Sequence, residues 1–241
     1  MLGTVLNVAG ILIGGGVGLV RRRPLSVAQD SFCKVSLAAF TVYYGLRLTW
    51  QSLSGSPLHM LRQLGITVLA LMLGSLTGRL LRFQRMSNRL GREAKQKLEA
   101  AQHRTERRAS ETFQACTILF CAAPLGIVGA LEEGLTSSYY YPLVVKGVME
   151  GLVTMGFAGL LSWGALLAAL PVLAFQGSIT LLSSQWLRPF LEAHQLTDSV
   201  NATGGLLIFS TALVMLGLKK IALADYLPSL VFAPLLTWIW R

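Results

Sequence analysis

Long apolar runs separated by short polar segments make up most of the 241 residues of this chain. Several runs reach about 20 residues, the length at which an α-helix crosses the core of a lipid bilayer. Stretches such as TVLALMLG are continuously apolar, whereas the strands of a membrane barrel alternate every second residue. The pattern predicts eight transmembrane helices, or seven if the short last one does not cross, at residues 2–20, 31–50, 63–83, 112–131, 142–161, 163–184, 200–218 and 226–240.

The composition agrees with a chain surrounded mainly by lipid. Apolar residues are 53% of the total and charged residues only 13%, whereas a soluble domain carries about 25% charged residues. We therefore predict an all-α fold, a polytopic transmembrane helical bundle that forms a single membrane domain over residues 1–241. The first apolar run is followed by Arg21, Arg22 and Arg23. Because a signal peptide carries its positive charge before the apolar core, we expect this run to remain as a membrane span.

Basic residues cluster in three of the polar segments. Most of the 21 lysines and arginines lie in residues 21–34, 79–108 and 219–220. With eight spans, these three segments fall on the same side of the membrane, and the opposite side carries single arginines and the acidic pair Glu132–Glu133. Basic short loops stay in the cytoplasm. The pattern therefore predicts that both termini face the periplasm and that loop 84–110 faces the cytoplasm.

The longest polar segment, residues 84–110, is strongly basic. Such a segment either extends the third span as a helix or lies on anionic lipid headgroups. The expected partners of the protein are therefore the lipid bilayer and, at this segment, anionic headgroups. Nucleic acid is not an expected partner, because the segment has no aromatic residue on which a base would stack. Apolar residues recur in it at helical spacing: Met86, Leu90, Ala94, Leu98 and Ala101.

Two charges interrupt the apolar run 142–161. Lys146 and Glu150 are four residues apart in VVKGVMEGLV, so they lie on one face of a helix and can pair. Glu150 is about 6 Å deeper than Lys146, where an isolated carboxylate costs several kcal/mol. The two residues are either an internal ion pair that fixes this helix against its neighbours or a charged site that lines a cavity. Ionisable residues inside membranes usually mark functional sites, which favours the second interpretation.

Two spans are interrupted by proline and glycine. In CAAPLGIVGALEEGL, Pro124 is followed by Gly129, and in LPVLAFQGSITLL, Pro171 is followed by Gly177. Proline removes a helical hydrogen bond, so that freed backbone groups can face a solute near mid-depth. The alternative for the prolines is that they only kink the helices for packing. The alternative for Asn7 and Asn201 is that their amides only bond neighbouring helices to each other. The polar side chains that would complete a binding site are Gln176, Ser178, Thr180, Asn7 and Asn201.

Glycines at four-residue spacing mark one face on each of two spans. Small residues at this spacing let two helices approach closely and pack by van der Waals contact. We predict helix packing at these faces, which would also suit a homo-oligomer. The glycines are Gly14 and Gly18 in the first span and Gly74 and Gly78 in the third.

Other chemistry is not indicated. The three cysteines lie inside predicted spans as small packing residues. The three histidines lie in separate loops without the spacing of metal ligands. GxSxG, HExxH and nucleotide-binding motifs are absent. We therefore expect no catalytic residue, no metal and no cofactor, and an ion gradient as the driving force of any transport.

Several stretches along the chain resemble the YqgA-like family of bacterial inner-membrane proteins. They are MLGTVLNVAGILIGG, LFCAAPLGIVGALEEG, KGVMEG, FQGSITLLSS and NATGGLLI, and the resemblance covers nearly the whole chain, less so residues 84–110. It implies a multi-pass protein of the bacterial inner membrane, in a family without an assigned activity. The resemblance therefore bears on location and not on mechanism.

Two classes of function follow from these features. The first is a small-solute or ion transporter with its site near the interrupted fourth and sixth spans and the Lys146–Glu150 face. Glu150 would bind a cation or a proton, or Lys146 an anionic group. The second is a non-transporting scaffold or regulatory subunit that uses the glycine faces and the basic loop for partners. We favour the transporter, and we do not expect an enzyme.

Overall fold

The computed structural model describes residues 1–21, 25–53, 55–103, 107–136 and 138–240, and within these ranges all regular structure is helical. Arg22, Arg23 and residues 104–106 of the basic loop lie outside the described residues. The helices in chain order are α1 (Leu2–Arg21), α2 (Val27–Ser52), α3 (Pro57–Leu80), α4 (Phe83–His103), α5 (Arg108–Ala122), α6 (Pro124–Leu135), α7 (Tyr141–Leu160), α8 (Gly164–Leu167), α9 (Ala169–Leu182), α10 (Arg188–Ala193), α11 (Thr197–Met215), α12 (Leu223–Tyr226) and α13 (Ser229–Ile239), with a π-helical turn at Ser183–Leu187.

Among the described residues, five helical stretches are long and apolar enough to cross a membrane: α1, α3, α7, α11 and the run from α8 to α10. The pair α5–α6, bent by 57°, makes a sixth if it counts as one span. α2 has 26 residues but carries Asp30, Lys34 and Arg47, and the last apolar stretch, Leu223–Ile239, is short. The predicted helical membrane bundle is therefore supported, while the count of eight spans stays a prediction.

Glycines bring α1 and α7 together as a parallel pair. Gly10 lies against Gly147 and Gly14 against Gly151, so that the two backbones are in contact. A Cβ atom at Gly151 would lie 2.6 Å from the Gly10 carbonyl oxygen, and Gly18 continues the contact one turn further. The Gly14–Gly18 face, for which we predicted close packing, lies in backbone contact with α7, an approach that only glycine allows.

The second pair of glycines packs α3 against the end of the chain. A Cβ atom at Gly74 would lie 2.5 Å from the backbone nitrogen of Ser229, and Gly78 lies against Asp225. Both predicted glycine faces are therefore filled by other helices of the same chain.

A break between two helices lies at Pro124, where the sequence predicted an interruption. α5 ends at Ala122, Ala123 is extended (φ −69°, ψ 121°), and α6 begins at Pro124. The proline itself is the cause, since its ring disfavours the helical conformation of the residue before it. Gly129, predicted as part of this break, instead lies inside α6 and packs against Leu143.

The interruption predicted from Pro171 to Gly177 is wrong. α9 is continuous over Ala169–Leu182 and contains both residues. Pro171 is tolerated because it lies in the first turn of α9, where backbone N–H groups lack partners within the helix. The irregular points lie at the two ends of α9, at Ala168 and in the π-helical turn.

The basic segment forms the separate amphipathic helix α4. Arg82, in a left-handed conformation (φ 60°), separates α4 from α3, so the segment does not extend the third span. Ala94 and Ala101 are fully buried, and Lys97 pairs with Glu111 of α5 at 3.3 Å. α4 therefore folds back onto α5 and leaves most of its arginines exposed.

The two ends of the described chain lie at the same end of the bundle. The first turn of α1 contacts Glu133, near the end of α6. Arg62, in the first turns of α3, donates a hydrogen bond to the Trp240 carbonyl. α4 and α12 lie at the opposite end. This arrangement agrees with an even number of crossings.

Candidate functional site

Lys146 and Glu150 form a buried ion pair on α7, with exposed fractions of only 3% and 5%. The Lys146 ammonium bonds to the Glu150 carboxylate one turn later. It donates a second hydrogen bond, of 3.0 Å, to the backbone carbonyl of Phe120. Lys146 therefore connects the charge on α7 to the end of α5.

The Phe120 carbonyl is free to accept this bond because of Pro124. In a regular helix a carbonyl accepts from the N–H four residues later, and a proline at that position has no N–H. The chain bends by 57° between α5 and α6, and the Lys146 ammonium replaces the missing donor. The break in the span and the buried cation thus form one structural unit.

Two buried amides lie beside this unit. Asn7 of α1 donates from Nδ2 to Oε1 of Gln176 on α9, at 2.8 Å, and both residues are fully buried. A Cβ atom at Gly147 would lie 2.7 Å from Cα of Asn7. One at Gly126 would lie 2.7 Å from Cε of Lys146 and 3.2 Å from Nε2 of Gln176. The two glycines therefore provide the room in which the ion pair and the amides meet.

Hydroxyl groups continue the cluster towards the start of α1. Thr4 is one turn before Asn7, and Thr180 is one turn after Gln176. The two hydroxyl oxygens are 3.3 Å apart, and Thr4 donates to the Glu133 carboxylate at 2.9 Å. A continuous set of buried polar side chains, called here the polar file, thus runs between α1, α6, α7 and α9. Its members are Glu150, Lys146, Asn7, Gln176, Thr4, Thr180 and Glu133.

Glu133 anchors the first turn of α1. Its carboxylate accepts the backbone N–H groups of Gly3 and Thr4 as well as the Thr4 hydroxyl. The first N–H groups of a helix have no partner within it, and negative charge is favourable beside them. Both Glu133 oxygens are therefore used inside the protein.

Three atoms of the polar file have no hydrogen-bond partner among the described residues: Glu150 Oε2, Asn7 Oδ1 and Gln176 Nε2. Roughly 90% or more of buried polar groups are bonded, and leaving one unpaired costs about 1–3 kcal/mol. Two acceptors and one donor in one cluster are groups that a water molecule, a cation or a small polar solute would use. The cluster thus has binding capacity that the chain itself does not fill.

The structure brings together five of the seven polar residues predicted for the site: Lys146, Glu150, Asn7, Gln176 and Thr180. Ser178 is turned away. It is exposed and donates to the Ala174 carbonyl of its own helix at 2.6 Å. Residues two apart on a helix point about 200° apart, so Ser178 cannot share the face of Gln176.

Asn201 also lies outside the polar file. Its Nδ2 donates to Oγ1 of Thr136 at 3.4 Å, where α11 meets the end of α6. Asn7 bonds to Gln176 instead, so the two asparagines do not share a site, and each joins a different pair of helices.

Sequence reasoning missed the Phe120 carbonyl, Thr4 and Glu133. The position of Pro124 was a sufficient signal for the first, since it identifies the carbonyl four residues earlier as unpaired. Thr4 precedes Asn7 by three residues, which places both on one helix face. Glu133 gave no such signal, because its bonds to α1 join residues 129 or more positions apart.

An apolar cavity of about 510 Å³ adjoins the break from the end of the bundle that carries α4. Cys121, Pro124 and Phe175 are among its lining residues. Pro124 begins α6 and Phe175 precedes Gln176 in α9, so the cavity reaches two of the elements that hold the polar file. The break at Pro124 thus lies between a polar region on one side and an apolar cavity on the other.

Comparison with known proteins shows the family. The family described as "Protein of unknown function (DUF554)" matches residues 2–238, and the chain belongs to it. The chain is 26% identical to the "Uncharacterized membrane protein YdfK" of Bacillus subtilis (strain 168), over 99% of this chain and 96% of that protein. It is 28% identical to the "Uncharacterized protein YqgA" of Escherichia coli (strain K12), over 100% and 97%. No solved structure matches significantly. The resemblance to the YqgA-like family is confirmed, and the apolar helices agree with a membrane protein.

Proposed function

We propose that this member of the DUF554 family transports a small solute or an ion across the bacterial inner membrane, with the polar file as its binding site. The main support is the buried Lys146 ammonium, bonded both to Glu150 and to the carbonyl freed by Pro124. Charged residues and broken helices inside membrane bundles typically mark solute and ion pathways. Helix packing alone requires neither the buried charges nor the unfilled polar atoms.

Each group of the inner cluster has a role in this proposal. Glu150, which has one oxygen without a partner in the described ranges, holds a cation or a proton. Lys146 supplies the counter-charge or holds an anionic group of the solute. Gln176 and Asn7 offer one free donor and one free acceptor. Because Lys146 is shared between Glu150 and the Phe120 carbonyl, a change in the charge of Glu150 changes how firmly the ammonium holds the break.

Access to the site differs on its two sides in this proposal. Thr4 and Thr180 offer hydroxyl groups between the end of the bundle at which α1 begins and the amides of Asn7 and Gln176. The apolar cavity approaches the break from the other end. A change of the bend at Ala123 is the proposed motion that connects the site to one side or the other.

The proposed topology has eight spans, with α2 and Leu223–Ile239 crossing in addition to the six stretches described above. Both termini then face the periplasm, and α4 faces the cytoplasm, where its exposed arginines meet anionic lipid headgroups. The placement of basic residues supports this orientation.

The rival proposal is a membrane scaffold or regulatory subunit without transport. In that proposal the glycine faces bind partner proteins. In the structure, however, α7, α12 and α13 of the same chain fill these faces. The buried ion pair would then serve only to join helices. The transport experiment distinguishes the two.

Reconstitution into sealed liposomes tests the proposal. The parent is compared with Glu150→Gln, which removes the charge at nearly constant shape, and with Ser178→Ala as a matched control on the exposed face of α9. Uptake of radioactive sodium ion, uptake of radiolabelled amino acids and proton flux reported by trapped pyranine are measured under an imposed ion gradient. We expect at least one flux above that of protein-free liposomes, lost in Glu150→Gln and kept in Ser178→Ala. Absence of every flux in the parent favours the scaffold, and full flux in Glu150→Gln removes Glu150 from the site.

A further inference from the structure

Glu132 and Glu133 are neighbours in sequence with opposite surroundings. Consecutive residues of a helix point about 100° apart, so that Glu133 faces α1 while Glu132 faces α11. Glu133 is fully bonded, whereas Glu132 is completely buried and neither of its carboxylate oxygens has a partner among the described residues. None of the ion pairs within this part of the chain includes Glu132.

Beside Glu132 lies a third buried oxygen that has no partner among the residues the structure describes. The carboxylate lies against Gly204 of α11, where a Cβ atom would be 2.8 Å from Cδ of Glu132. Asn201 lies three residues before Gly204, on the same face of α11. Its Nδ2 bonds to Thr136, which follows Glu132 by one turn, and its Oδ1 is buried and has no partner in the described part of the chain. The carboxylate and the amide oxygen therefore line one contact between α6 and α11.

We infer that Glu132 and Asn201 form a binding site for a monovalent alkali cation, for which Na⁺ is the probe. Hard cations bind through carboxylate and carbonyl oxygens, which are the three atoms present. One carboxylate balances one positive charge, which fits a monovalent ion better than a divalent one. A proton on Glu132 would donate a single hydrogen bond and leave one of the oxygens unpaired, whereas a cation contacts all three.

Cation binding at this site would hold α6 against α11. α6 begins at the Pro124 break and also carries Glu133, the anchor of α1. An ion between α6 and α11 therefore restrains α6, the helix that begins at the Pro124 break. Cation binding does not require transport, while the use of Na⁺ as a coupling ion rests on the proposed function.

Binding is measured on the full-length protein in detergent. Saturable binding of radioactive sodium ion is determined by equilibrium dialysis, and thermal unfolding is compared in sodium chloride and choline chloride at equal ionic strength. The variants are Glu132→Gln, Asn201→Ala and Gly204→Ala, in which the added Cβ displaces the carboxylate without removing its charge. Glu192→Gln, in an exposed surface pair, is the control. Elution on gel filtration checks that each variant is folded.

We expect sodium to bind the parent and Glu192→Gln saturably and to raise their unfolding temperatures above the values in choline. Loss of the charge or displacement of the carboxylate should weaken binding about tenfold or more, the equivalent of about 1.4 kcal/mol. Gly204→Ala keeps the test decisive if Glu132→Gln does not fold. Absence of saturable binding in the parent, or equal binding in the folded Glu132→Gln, overturns the site. Stabilisation by low pH alone, without a sodium effect, makes Glu132 a proton site and overturns it as well.

The outcome is independent of the transport test. Sodium binding without any flux in liposomes leaves the site in place and contradicts the proposed function. Solute flux without sodium binding leaves the proposed function in place and removes this site.

Discussion

Replacing Lys146 by leucine removes a partner from two buried groups at once. Glu150 loses its counter-charge, and the Phe120 carbonyl loses a donor that Pro124 cannot replace. Breaking a buried ion pair from one side costs about 3–5 kcal/mol, and an unpaired buried carbonyl adds about 1–3 kcal/mol. Glu150→Leu leaves Lys146 bonded to Phe120 and avoids the second loss. We therefore expect Lys146→Leu to be less stable than Glu150→Leu by about 1–3 kcal/mol.

The double leucine variant completes the cycle. Replacing both members of a buried pair with apolar groups is often neutral, but the Phe120 carbonyl stays unpaired. We expect the double variant to recover most of the stability and to remain within about 1–3 kcal/mol of the parent. The proposed function further predicts that it has no flux, since the site has lost both charges.

Thermal unfolding in detergent, followed by tryptophan fluorescence, measures the four proteins of the cycle. For a chain of this size, a difference of 1–3 kcal/mol corresponds to a shift of about 2–12 °C. Equal unfolding temperatures for the two single variants would contradict the role of the Phe120 carbonyl. Single variants as stable as the parent would contradict the ion pair itself, and a double variant with parental flux would limit both residues to packing.

Three further predictions concern the rest of the chain. In a cysteine-free variant, Leu58→Cys should react with an impermeant thiol reagent in intact cells and Gln102→Cys should not; the reverse pattern would contradict the proposed orientation. Gly151→Leu should lower stability by about 1–3 kcal/mol or more by forcing α1 away from α7, whereas Gly156→Leu, which meets open space, should change it by about 0.5 kcal/mol or less. Equal thermal shifts in these two variants would contradict the glycine contact. Burial raises the pKa of the Tyr139 phenol, so its contribution to stability is present below pH about 10 and is lost as the pH rises further. The parent should therefore lose more stability between pH 8 and pH 11 than Tyr139→Phe, and equal losses in the unfolding curves would refute this.

The spans that consist of a single uninterrupted helix were predictable from the sequence. Residues 2–20 and 142–161 were predicted, and the helices are Leu2–Arg21 and Tyr141–Leu160. The thickness of the bilayer fixes the length of a span, so length and apolarity suffice where a run is uninterrupted. α2 is harder to assign as a membrane span. It is a long helix that packs against α11, but its charged residues reduce its apolarity.

Proline marked one break correctly and one wrongly. Pro124 lies far enough into its span to end α5, whereas Pro171 lies in the first turn of α9, where it is tolerated. The sequence around the two prolines does not show where each helix starts, and the position of a proline relative to that start decides whether it breaks the helix. Local spacing alone therefore could not distinguish them.

The local pair in the candidate site was predictable, whereas the individual bonds between distant residues were not. Lys146 and Glu150 are four residues apart on one helix, and the structure pairs them. Asn7 and Gln176 are separated by 169 positions, and their contact depends on the order in which the helices pack. The different surroundings of Glu132 and Glu133 likewise become visible only when α1 and α11 are placed around α6.

Access of water to the polar file tests the central claim most directly, because it needs no knowledge of the solute. In a cysteine-free variant, Gln176→Cys is compared with Val172→Cys, one turn earlier on the same helix and buried among apolar residues. Membranes are treated with the small cationic reagent 2-aminoethyl methanethiosulfonate, and the rate of modification is measured for each variant. A transport site must open to water, so Gln176→Cys should react clearly faster than Val172→Cys. Equal, slow modification of both would mean that the polar file stays closed and would contradict a transport role.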